Sequence, residues 1–206
     1  MSKDAAIRLK SEVRTIDTES RTALFVISDE TKDRHGTIIK MSGWDLENYK
    51  RNPIVGYQHE VHGSWAGGTN PDYIIGKSEV YEDNGQLLAL VHFEGAESTG
   101  NELAESIFKK VQFGTLNATS VGFDPKEGRW GDSERGEDPD TFYYTRQDLL
   151  EFSIVNIPSN PSAVKKNAQA EQEFLKAHPK PSSDKNEFTP PTLEEIKYKQ
   201  IKIKVR

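Results

Sequence analysis

The sequence predicts a mainly β protein with helices (α+β class): a bent antiparallel β-barrel carrying one or two packed helices. Three observations support that expectation. Short alternating or continuous apolar runs recur from about residue 21 to residue 164, the pattern of half-buried and buried strands. Two of these runs flank Asp83-Asn84-Gly85, a turn-former of the hairpin kind. Only one stretch shows a clear helical period with its own start and stop signals. Many short strands around few helices fit a barrel or a heavily bent sheet.

Taken in order, "TALFVIS" reads as a strand and "DETKDRHG" as a turn leading into a strand "TIIKM". "SGWDLENYKRN" reads as a short helix with Ser42 as N-cap, which Pro53 stops from continuing. "PIVGYQH" is the next strand, and "YIIGKSEVYEDNGQLLALVHFE" is a hairpin. "TGNELAESIFKKVQFG" is the helix. Thr99 and Glu102 suggest a capping box, Leu103, Ile107 and Val111 share a face, and Gly114 suits the stop. "LNATSVGF" and "YYTRQDLLEFSIVNI" supply the last strands.

These elements sort into three zones. Residues 1–20 are a polar N-terminal segment, residues 21–164 the β-barrel domain, and residues 165–206 a charged, proline-punctuated tail. Short helices are expected within the tail at Ala168–Ala177 and Leu193–Lys199. No internal repeat is visible.

Composition narrows the function. A net charge of −6 lacks the basic field of a non-specific nucleic-acid binder, so no nucleic-acid partner is expected. The absence of cysteine excludes disulfides, thiolate zinc sites and a cysteine nucleophile. No apolar run approaches the roughly 18 residues of a membrane span, and the polar start "MSKDAAIRLKSE" holds no secretory apolar region. The expectation is a soluble intracellular protein without a membrane partner.

The chemistry-bearing candidates are few. His59 and His62 are three apart, a step that does not place two side chains on one face of an extended strand, and no metal site is expected. "GSWAGG" lacks the lysine and the spacing of a phosphate-cradling loop, and no cofactor is expected. Ser120 in "NATSVGF" shares a strand face with Ala118 and Gly122. Such small neighbours leave space above a hydroxyl for a substrate chain, or accept a crossing helix. His59 ends the strand "NPIVGYQH", with Val55 and Tyr57 on its face, where a surface histidine is also common. His62, His35 and His92 compete with it. His92, facing Leu88 and Leu90, reads as a satisfied core histidine; His35 sits in a turn and His178 in the tail.

Glu151 poses the sharpest question, because it lies inside the apolar run "DLLEFSIVNI" and shares a strand face with Leu149, Ser153 and Val155. A carboxylate there is costly unless paired. It is either capped by backbone N–H groups or an arginine, or it orients a histidine as the acid of a triad does.

In order along the chain, these segments resemble the prohead maturation proteases of tailed bacteriophages. "KDRHGTII" and "GWDLENYKRNPIVGYQHE" are similar to that family's acidic-Gly turn, short helix and Asn-Pro strand ending in a catalytic histidine. "IIGKSEVY" is similar to its next strand. "GTLNATSVGF" resembles its Ser-x-Gly-Phe nucleophile strand, and "DLLEFSIVNIPSNPSA" its Glu-x-Ser-x-Val-x-x-Pro-x-Asn-Pro-x-Ala close. Coverage runs from about residue 22 to 164. Two departures stand out: Glu60 follows His59 where an Asp is common, and "DPKEGRWGDSERGEDPD" is a long polar insert after the nucleophile strand.

The resemblance implies a fold like the herpesvirus assembly proteases. It also implies a serine endopeptidase that cleaves capsid and scaffold proteins, and itself, inside the immature capsid in the host cytoplasm. Carried over, His59 becomes the general base and Ser120 the nucleophile. Glu151, 31 residues after Ser120, becomes the third member, with Ser153 in support and Asp33 as the rival acid. Backbone amides near Ser120, Arg129 or Arg146 are candidates for the oxyanion. The implied partners are the major capsid protein or scaffold as substrate, with self-association. The alternative is a non-catalytic capsid-assembly or scaffolding protein on the same barrel; a β-barrel binding domain for a sugar or peptide explains none of the motifs.

Overall fold

The computed structural model describes residues 20–62, 70–166 and 168–177. The sheet and the candidate site lie in the first of two units into which the chain divides, Met1–Glu173. The N-terminal segment up to residue 19 and the helix expected at Leu193–Lys199 lie outside the described residues.

Eight strands form one curled sheet: β1 Thr22–Asp29, β2 Thr37–Ile39, β3 Trp44–Asp45, β4 Ile54–Tyr57, β5 Ile74–Asp83, β6 Gln86–Phe93, β7 Ala118–Trp130 and β8 Phe142–Val155. The mainly β expectation stands, but an all-antiparallel sheet does not. β1, β6, β5 and β4 follow one another in antiparallel pairs, whereas β2, β3 and β4 all pair with β8 in parallel. β7 pairs antiparallel with β8 through most of its length. Parallel neighbours need crossover connections, and no local turn signal announces them.

The sheet curls until β7 approaches β1. The segment after the final Asn-Pro bridges the gap: Val164 accepts from Val26 N–H at 3.0 Å, Ala163 accepts from Thr119 N–H at 2.9 Å, and Lys165 N–H donates to Asn117 at 2.8 Å. Thr119 Oγ1 also donates to the Val26 carbonyl at 2.9 Å. Inside the curl, Phe25, Ile27, Val55, Ile75, Leu87, Val91, Phe152 and Ile154 are buried. Burying each such side chain contributes about 1.5–3 kcal/mol before entropy is counted.

The hairpin forms as expected, with Asn84 at φ 48° and Gly85 at φ 74°, the left-handed pair that a two-residue turn needs to match strand twist. The expected Ser42 cap does not form. Residues 41–43 are a 3-10 turn, the chain then pairs with β8 as β3, and α1 covers only Glu47–Arg51. A Cβ at Gly43 would stand 2.2 Å from the Thr145 carbonyl oxygen, so contact with β8 overrides local helix preference here. The Thr99–Glu102 capping box is also replaced. Thr99 closes a short α2, Ala96–Thr99, and Asn101 caps α3, Glu102–Phe113, by accepting from Ala104 N–H at 2.9 Å. Asn101 Nδ2 meanwhile donates to the carbonyls of Asp72 and Ile74, each at 3.0 Å, a tertiary tie that threonine lacks the atoms to make. Gly114 ends α3 at φ 92° as expected, and α4 spans Ala168–Ala177.

The first part of the polar insert after Phe123 is strand: β7 runs on to Trp130 and forms a long ribbon with the start of β8, and only residues 131–141 form the connecting turns.

Candidate active site

Three neighbouring strands, β4, β8 and β7, position the chemistry. Gly56 on β4 pairs with Ser153 on β8, which pairs with Ser120 on β7. Two positions along, Glu151 pairs with Gly122. Paired positions in register project to one face, so Ser120, Ser153 and Glu151 share a surface.

Glu151 departs from the simple alternation expected of its strand. Phe123 pairs with Leu149 and Gly122 with Glu151, leaving Leu150 as an extra residue. This β-bulge re-aims the chain. Leu149 joins the core with Phe152 and Ile154, while Leu150 is exposed. Glu151, expected to share the face of Leu149, instead sits with Ser153 outside that core cluster.

Two glycines make room for its carboxylate. A Cβ at Gly122 would stand 2.3 Å from Glu151 Oε1, and one at Gly56 would stand 2.5 Å from Ser153 Oγ. The space over Gly122, expected to be open for a substrate, is thus filled by Glu151.

His59 is not on a strand. Gln58 and His59 have φ of 55° and 63°, a left-handed corner just after β4, so the parity argument that grouped His59 with Val55 and Tyr57 fails. The corner folds the imidazole back over the sheet. Its Nδ1–H donates to Glu151 Oε1 at 2.6 Å. Glu151 is 1% exposed and His59 38%, so the carboxylate is buried beneath a ring that solvent still reaches. The Glu151 hydrogen bond raises the His59 pKa above its usual value; burial opposes this and loses. With Nδ1–H committed to the carboxylate, Nε2 is left as the proton acceptor.

Ser153 closes the arrangement. Its Oγ–H donates to Glu151 Oε2 at 2.8 Å and its Oγ accepts from His59 N–H at 3.1 Å. Ser120 is nearly buried and lines a cleft of about 240 Å³ with Val121, Phe123, Tyr144, Asp33 and Asn160. No hydrogen bond joins Ser120 to His59, the link that in substrate-free sites is often long and tightens on binding.

The competitors are engaged elsewhere. Asp33 Oδ1 accepts from the N–H groups of His35 and Thr37, and its Oδ2 from the Thr37 hydroxyl, so its carboxylate organises its own turn at the cleft rim. His92 is not a core histidine: its ring is partly exposed and its Nε2 meets Glu79 Oε1 at 3.2 Å. Arg129 pairs with Glu137 and Arg146 with Glu127 along the β7–β8 ribbon, well along the strands from Ser120. Sequence reasoning missed Gly56, whose only signal was its place in the strand before the histidine, and it read Gly122 as open space above Ser120 rather than as room for the Glu151 carboxylate.

Comparisons with known proteins place the chain in a family. The family described as caudovirus prohead serine protease matches residues 72–177, just over half the chain, a span that begins after His59 and includes Ser120 and Glu151. The chain is similar to the prohead protease of Escherichia phage T5, 29% identical over 167 residues that cover 77% of this chain and 70% of that protein. No solved structure matches. The chain belongs to the caudovirus prohead serine protease family, and it is a serine peptidase of phage prohead maturation.

Proposed function

We propose that Ser120, His59 and Glu151 are the nucleophile, base and orienting acid of this peptidase. One observation carries the reading: the 2.6 Å bond from His59 Nδ1 to a buried Glu151 carboxylate, on the strand that pairs Ser153 with Ser120. A serine hydroxyl is a weak nucleophile until a base takes its proton. In the proposed step His59 Nε2 takes the Ser120 proton as Oγ attacks the scissile carbonyl. The imidazolium, stabilised by Glu151, then returns that proton to the leaving amine. Water, deprotonated by the same ring, hydrolyses the acyl-enzyme and releases Ser120.

The fold is the bent-barrel type of the herpesvirus assembly proteases in this reading, and the substrates are the major capsid protein, the scaffold and the chain itself within the prohead. The T5 relative's name as a prohead protease supports the first of these. Co-expression with the cognate capsid protein tests the function. Mass spectrometry should find a trimmed capsid protein and a trimmed protease with the native chain, and neither with Ser120→Ala. Capsid trimming that persists in Ser120→Ala would end the nucleophile assignment. A chain that supports shell assembly with no cleavage of any protein would favour a non-catalytic assembly role.

A further inference from the structure

The three-strand surface carries more buried polar construction than a Ser-His-Glu set requires. Ser153 is fully buried, yet its single hydroxyl serves two groups at once. It donates to the Glu151 oxygen that His59 does not use, and accepts from the backbone N–H of His59 itself. Those two groups belong to the acid and to the left-handed corner that presents the ring. Gly56 and Gly122 flank the carboxylate, and a Cβ on either would collide with Ser153 Oγ or Glu151 Oε1.

We propose that Ser153 is a positioning residue, locking the rotation of the Glu151 carboxylate and the His59 corner into one rigid unit over the two glycines. The proposal rests on the reading of His59 as base. With only the imidazole as partner, a carboxylate on three rotatable bonds can turn either oxygen to the ring or swing away from it. The Ser153 hydroxyl fixes Oε2, which leaves Oε1 as the one oxygen that meets Nδ1. The same hydroxyl supplies the acceptor that holds a positive-φ histidine, a conformation non-glycine residues adopt at a cost. Small misplacement of an acid–base pair is expensive in rate, and outer hydrogen-bond partners of ligating groups typically contribute about 10–100-fold.

Among the described residues, the ionisable groups around the ring are few. Glu151 approaches from β8. Tyr49 on α1 lies near that carboxylate, its phenol pushed up first by burial and further by the Glu151 charge. Glu60 and His62 sit on the ring's own turn. A change in the His59 titration on altering Ser153 therefore reports the Glu151 contact.

The test uses the full chain and a fluorophosphonate probe, which labels an activated serine without needing a known cleavage sequence. Labelling rate is measured against pH, and the His59 ring is titrated by NMR, for the native chain, Ser153→Ala, Gly122→Ala and His59→Ala. Ser153→Ala adds no atom and should fold. It is expected to label about 10–100-fold more slowly, with the His59 titration moved down toward that of a free histidine. Gly122→Ala, whose Cβ must displace Glu151 Oε1, should move the titration the same way. A Ser153→Ala chain with native labelling rate and native His59 titration overturns the proposal. So does slower labelling with an unmoved titration, since that is what general loosening would produce. Native labelling in His59→Ala would defeat the base assignment itself, a distinct failure.

Discussion

Glu151 keeps a buried carboxylate beneath the His59 ring. Its presence in an apolar run marked it as paired with something, because an unpaired buried carboxylate is too costly to keep. The partner, His59, was legible only through the family resemblance; the geometry that brings it there depends on a bulge at Leu150 and a left-handed corner at His59, neither of which leaves a periodic trace. Glu151→Gln keeps shape but can turn an N–H₂ toward the ring and favour the wrong tautomer. Its turnover should fall by up to about 10⁴-fold, while the melting temperature changes little. Asp33→Asn should instead disturb its own turn and leave the activity's pH dependence in place. The reverse pattern would make Asp33 the acid.

The pH dependence follows from the direction of the His59 shift. A histidine acting as the proposed base works when neutral, and Glu151 holds the His59 pKa above the usual ~6.5. Activity should therefore rise with pH through a limb above that of a free histidine, and Glu151→Gln should move the limb down. For stability the sign is opposite. The imidazolium–Glu151 pair contributes fully below the unfolded value near ~6.5 and fades as pH rises through the raised folded value. Melting curves across that window check it; a contribution that grew with pH would contradict the pairing.

Among the elements, the hairpin at Asn84-Gly85 and the end of α3 at Gly114 were legible because a tight turn or a helix stop is set by a few adjacent residues. Element starts governed by distant groups were not. Asn101 caps α3 while its amide holds two carbonyls at Asp72 and Ile74, which no capping rule read along the chain foresees. Asn101→Ala removes the cap, worth about 1 kcal/mol, and strips both carbonyls of their donor, at roughly 1–3 kcal/mol for buried groups left unpaired. Urea unfolding should register a loss near the sum's lower end or above. A change within a few tenths of a kcal/mol would mean that the tie is idle.

For the whole molecule, β8 is the organising strand, pairing on one side with β2, β3 and β4 and on the other with β7. That topology sets Ser120 on β7 beside the β8 strand that carries Glu151, and Glu151 against His59 just after β4. The sequence exposes the strands, since burial imposes alternation, but not their order, since parallel pairing is decided by contacts across the fold. Backbone bonds run just past residue 164: the Lys165 and Lys166 N–H groups donate to the carbonyls of Asn117 and Leu24. A chain ending after Lys166 should stay soluble and reactive toward a fluorophosphonate. One ending after Ser162 loses those bonds and the Val164–Val26 and Ala163–Thr119 bonds as well, and should melt at lower temperature or aggregate. Equal stability of the two would show that the bridging segment closes nothing.

Whether Ser120 is the serine activated by the His59–Glu151 pair is read out by peptide mapping after fluorophosphonate treatment of the full chain. One stoichiometric adduct is expected, on Ser120, which forms faster as pH rises through the His59 titration and is lost in His59→Ala. An adduct on Ser153 or another serine, or labelling of Ser120 that is indifferent to His59, would contradict that assignment.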